Sequence, residues 1–164
     1  MESIEAIIPD NEDNHLVVVL SFYDNNDKVG TFQIPEEFED LDIADIAINK
    51  LYIDMPLNLC AFFKMCRWLI EQFSIFPNAV FSFICSTDPL ETHHSGMASE
   101  QYRWNLFEYL YQRNIPKLTE LGIESKDIIV GPEGYQTFAR VFYRLKHAPV
   151  IHVVLQHLTS KYAV

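Results

Sequence analysis

The sequence predicts a single α+β domain, residues 1–164, built as two layers: one mostly antiparallel sheet with helices packed mainly on one face. Three observations lead there. The 164 residues have the length of one domain, and 49% of them are hydrophobic. That is enough to bury a core without disulfides or metal. Apolar runs of strand type and longer runs of helix type follow one another as β-β-(β)-α-β-α-β-β-α, with no internal repeat and no low-complexity linker.

The elements follow in order. Residues 1–14 read as a loosely ordered start. His15–Phe22 (HLVVVLSF) is almost continuously apolar and β-branched, which predicts a strand buried on both faces. Asp24–Asp27 (DNND) is a cluster of turn formers, and Lys28–Ile34 then alternates apolar and polar, so the two runs predict an antiparallel hairpin. Residues 35–42 form an acidic loop. Ile43–Ile53 fits a short helix or a third strand, and its isoleucines favour the strand. Leu57–Phe76 is the clearest helix, with a narrow wet stripe of Lys64, Arg67, Glu71 and Ser74. So apolar a helix needs cover beyond one sheet, either from a second helix or from a second copy of the chain.

Pro77-Asn78 stops that helix, and Ala79–Cys85 (AVFSFIC) reads as a central strand. After a polar loop, Ser86–Gly96, Ser99 caps a helix running to about Asn114. Pro116 predicts a kink or a new start, and Gly122 closes the last turn. Asp127–Val130 and Tyr135–Leu145, joined through Gly131–Gly134, predict a second hairpin. Pro149 opens a terminal helix that buries Val150, Val154, Leu155 and Leu158.

Charge is unevenly distributed. The chain carries 12 basic and 23 acidic side chains, a net charge of −11. Residues 1–54 hold 14 of the carboxylates against two lysines, a net of −12, and the trailing two-thirds is close to neutral. A phosphate backbone is repelled by such a surface, so direct nucleic-acid binding is not expected. No apolar run approaches the length of a spanning helix, and the opening MESIEAIIPDNED has neither a basic region nor an apolar run of secretory type. The odd cysteine count (Cys60, Cys66, Cys85) in apolar surroundings reads as thiols in a reducing cytoplasm.

The pattern of a helix closing on Phe73, Pro77, Asn78 and Ala79, an apolar strand, a polar loop, and a helix bearing Arg103 and Phe107 resembles a group of small bacterial domains of unknown function, familiar from Bacteroidetes-type genomes. The strand followed by His147-Ala148-Pro149 and a short helix fits the same pattern. The resemblance covers about residues 57–160 and implies the same β-β-α-β-α-β-β-α order. It brings no activity.

Three constellations carry possible chemistry. Cys85 stands at the C-terminal end of a central strand with His93 and His94 in the following loop, which suggests a cysteine nucleophile with a histidine base, against the plainer reading of a buried structural thiol beside a polar surface loop. Glu91 occupies the position where a cysteine phosphatase needs arginine. Arg103, Arg140 and Arg144 lie among aromatic residues and suggest a small anion site, against the plainer reading that they balance the chain's own carboxylates. The acidic run Glu36, Glu37, Glu39, Asp40 and Asp42 suggests a face for a basic partner protein, against the plainer reading of a solvated surface. No metal-ligand spacing or cofactor signature occurs, so neither is expected. The sequence therefore favours a small, acidic, cytoplasmic bacterial protein that is a non-catalytic interaction module (adaptor, inhibitor or antitoxin-like). The alternatives are a small hydrolase or nucleotide-handling enzyme at Cys85 and His93, and a homodimer formed through helix 57–76.

Overall fold

A computed structural model describes residues 2–9, 15–24, 26, 28, 34–50, 59–85, 99–130 and 137–162. Six strands form one mixed sheet: β1 (Glu2–Pro9), β2 (His15–Phe22), β3 (Asp42–Lys50), β4 (Ala79–Cys85), β5 (Ile123–Val130) and β6 (Thr137–Arg144), in the spatial order β1-β2-β3-β4-β6-β5. Four of the five pairings are antiparallel, and only β3–β4 is parallel. That parallel pair needs a crossover, which α1 (Leu59–Ile75) supplies. The remaining helices are α2 (Ser99–Glu120) and α3 (Ala148–Tyr162). The chain is an α+β domain, as its pattern of elements predicts.

Strand alternation divides the core in two. Leu16, Val18, Leu20, Ala44, Ile46 and Phe81 face α1 and α2. Their strand neighbours Ile43, Val80, Val141 and Tyr143 face Val150, Ile151 and Val154 of α3. Two helices thus share one face, and α3 adds a partial third layer on the other. Both faces of β4 are covered, so Val80 and Phe81, adjacent in sequence, are both fully buried.

Several expectations change on contact with tertiary structure. Glu2–Pro9 is not a loose start but an edge strand, paired with β2 from Glu2↔Phe22 to Pro9↔His15. It is held because Ile4, Ala6 and Ile8 fall on the α1 face. β2 is buried at Leu16, Val18 and Leu20 and only half-buried at Val17 and Val19, so its two faces are unequal. Lys28–Ile34 cannot be the hairpin partner of β2, because β1 and β3 occupy both edges of that strand. Lys28 instead donates its N–H to the Asp24 carbonyl at 3.0 Å, the bond of a helical turn; residues 29–33 lie outside the described residues. Asp42 belongs to β3 rather than to the acidic loop.

Pro116 neither breaks nor restarts α2, which runs through it. The carbonyl that loses its partner belongs to Gln112, and both residues are exposed to solvent. Gly122, at φ 72°, closes the helix in the left-handed region that glycine enters without strain.

The wet stripe Lys64, Arg67, Glu71 and Ser74 of α1 is exposed throughout. Its remaining cover comes from within the chain. Phe62 meets Phe107 of α2, Phe63 lies under the Arg113 guanidinium at 4.1 Å, Phe73 meets Phe81, and Phe76 meets Phe22. The second covering layer is therefore α2. Among the described residues no helix is long and apolar enough to cross a membrane.

Candidate functional site

The strand directions bring the start of β1, the end of β2 and the start of β3 to one end of the sheet. Exposed carboxylates gather there: Glu2, Asp24, Glu36, Glu39 and Asp40. The loop that bears most of them is anchored from beneath. Ile34, Phe38 and Leu41 pack into the α3-side core, and a 3-10 turn, Glu36–Phe38, lifts the acidic side chains outward. The side chain of Glu37 lies outside the described residues. Asp42, the fifth residue of the run, is half-buried, and burial raises its carboxyl above the ordinary value; Lys28 pulls it down and Asp40 pushes it up.

Lys28 is buried inside this turn. Its ammonium donates to the carbonyls of Glu39 at 3.2 Å and Leu41 at 2.8 Å. It therefore orders the loop backbone instead of covering the carboxylates. Lys146 approaches only through Asn78, which bonds Lys146 at 3.3 Å and Asp40 at 3.5 Å.

The arginines of β6 serve the trailing part of the chain. Arg140, with 6% of its side chain exposed, ion-pairs with Glu108 of α2 and Asp127 of β5, both at 2.5 Å. The Trp104 and Tyr111 rings lie 4.7 and 4.1 Å from its guanidinium. Burial works against its charge, and the bonds to Asp127 and Glu108 outweigh that, so its pKa ends above the ordinary value. Arg144 donates to the Phe76 carbonyl at 3.1 Å and to the Phe73 carbonyl, closing the C-terminus of α1. Arg140 is neutralised within the trailing part of the chain by Glu108 and Asp127, whereas the half-buried Arg144 is bonded to backbone carbonyls. The Arg103 side chain lies outside the described residues.

Cys85 ends β4 at the opposite end of the sheet. Its side chain, His93 and His94 lie outside the described residues. Cys60 is exposed and Cys66 half-buried. Burial pushes the Cys66 thiol up to about 11, so it stays protonated at neutral pH. Iodoacetamide at neutral pH should modify Cys60 quickly and Cys66 only when the fold opens, read by peptide mass spectrometry. Equal rates would contradict this packing. Among the described residues no group of His, Cys, Asp and Glu is arranged to hold a metal ion.

His147 is buried in the turn between β6 and α3, and its Nδ1 has no hydrogen-bond partner among the described residues. Burial first, then Lys146 and Arg144, lower its pKa from 6.5, while Asp40 pulls it up. In the unfolded chain the imidazole takes a proton near 6.5, and in the folded chain only at lower pH. Stability should therefore be complete above that value and fall as pH drops through it, by at most about 1.4 kcal/mol per pH unit. Asp42 acts oppositely in a more acidic window that begins at 3.8. Urea unfolding between pH 8 and 5 checks this, and His147→Gln should flatten the slope.

Sequence reasoning missed Lys28, Glu108 and Asp127. The signal for Glu108 was present, since Trp104, Glu108 and Tyr111 share one helix face at steps of four and three. Asp127 sits directly across from Arg140 in the β5–β6 register, which is visible only once the hairpin pairing is fixed.

No protein-family model matches this chain, and comparisons with curated proteins and with solved structures find no match.

Proposed function

We propose that this chain is a small, non-catalytic protein-interaction module of the bacterial cytoplasm, an adaptor, inhibitor or antitoxin-like protein, that meets a basic surface of a partner protein through the acidic end of its sheet. One observation supports the reading most. Glu36, Glu39 and Asp40 are exposed together on a turn held from below, while Arg140 is committed to Glu108 and Asp127 and Arg144 to carbonyls at the end of α1. An unbalanced, positioned cluster of this kind speeds encounter with a positive surface and selects against negative ones.

The test is partner capture at increasing ionic strength. The parent protein should retain its partner at low salt and release it as the Debye length shrinks below about 10 Å. The variant Glu36→Gln/Glu39→Gln/Asp40→Asn should capture little at any salt. Capture that is indifferent to salt, or unchanged in the variant, counts against the proposal.

A further inference from the structure

Beneath α1 and α2 lies a cavity of about 90 Å³ that has no part in the acidic end of the sheet. Its wall includes Met65, Cys66 and Phe73 of α1, Phe107 and Leu110 of α2, and Phe81 of β4. Natural cores rarely keep a void larger than a water molecule, and a space with apolar walls accepts small apolar molecules. Several lining side chains, Ile70 and Phe107 among them, are only half-buried, so the space is not sealed from the surface.

The polar groups in the wall decide the chemistry of an occupant. Among the described residues Arg140 is the only charged side chain there, and Glu108 and Asp127 already neutralise it. Asn114 donates its side-chain amide to the Leu110 carbonyl at 2.7 Å. The Tyr111 hydroxyl accepts a bond from Ser125 at 3.0 Å. Cys66 is held as the neutral thiol by the same apolar surroundings. A carboxylate or phosphate entering this space finds no free cation among the described residues, and burying it unpaired is costly. A neutral hydrocarbon group loses nothing and gains contact with rings on three sides.

We propose that this cavity is a binding site for a small neutral apolar molecule or group, no larger than a single ring, and that it rejects anionic analogues of the same shape.

The experiment titrates the full chain with benzene and, separately, with benzoate, and follows the Met65 methyl signal by NMR. Benzene should produce a saturable shift, and benzoate should bind about tenfold more weakly or worse. The variant Cys66→Leu, which fills part of the space, should remain folded by circular dichroism and lose the benzene response. Cys66→Val serves the same purpose if the larger side chain is not tolerated. No saturable benzene shift in the parent, equal binding of benzoate, or an undiminished response in a folded filled variant would each overturn the proposal.

Discussion

Arg140→Leu is expected to lower the unfolding free energy by about 3 kcal/mol, measured by urea denaturation with an unchanged slope. The residue is buried, and its removal strands two carboxylates and leaves the Trp104 and Tyr111 faces without their cation. Breaking a buried pair from one side usually costs about 3–5 kcal/mol. Here Glu108 and Asp127 keep 34% and 43% of their side-chain exposure. The stranded charges therefore reach water, and the lower end of that range applies. The same argument fixes the control. Arg140→Leu/Glu108→Gln/Asp127→Asn removes the stranded charges together with the cation, and it should be less destabilised than the single substitution. A single substitution that costs under about 0.5 kcal/mol would mean that the triad contributes nothing.

Phe81→Ala should cost more, about 4 kcal/mol. Its ring is fully buried at the centre of the sheet, 4.6 Å from Phe73 and 6.3 Å from Phe22. Truncation cost depends on how far the surroundings can collapse into the space left. Phe81 already borders the cavity beneath α1 and α2, so its loss enlarges a void rather than opening an isolated one. Thermal and urea unfolding should both report the loss. An effect near 1 kcal/mol would show that α1 settles onto the sheet, and that the ring is not the wedge between them.

How much of this was legible follows from the range of the interactions. The strands β2, β4 and β6 and the helix α1 declare themselves locally: β2 and β4 are near-continuous apolar runs, β6 is rich in aromatic and branched residues, and α1 is an apolar run with one narrow wet stripe. β1 does not. Ile4, Ala6 and Ile8 alternate with Glu5 and Ile7 in a short segment followed by Asp10, Glu12 and Asp13, and only the register with β2 turns that alternation into a buried face. Lys28 fails for a related reason: its value lies in two carbonyls more than ten residues away, which no local pattern announces. The alternation in 28–34 is a signal of local geometry and carries no information about which edges of β2 are free. Pro116 does not start a new helix, because α2 continues through it. Of the candidate chemistry, the acidic run and Arg140 were visible as residues. Their opposite fates, one left in solvent and the other closed into a triad, depend on pairings that only the folded chain sets.

Position matters here more than total charge: Glu36, Glu39 and Asp40 stay exposed at one end of the sheet, while Arg140 is closed into a triad with Glu108 and Asp127. The measurement that tests this most directly compares two variants of equal net charge for binding to a lysine-rich peptide at low salt. One is Glu36→Gln/Glu39→Gln/Asp40→Asn. The other is Glu71→Gln/Glu120→Gln/Glu124→Gln, which removes three exposed carboxylates from the trailing two-thirds. The first should bind about tenfold more weakly than the parent, since each exposed pair contributes under about 1 kcal/mol, and the second should bind like the parent. Equal weakening of both would mean that the peptide senses only overall charge, and the acidic end would then have no distinct role in recognition.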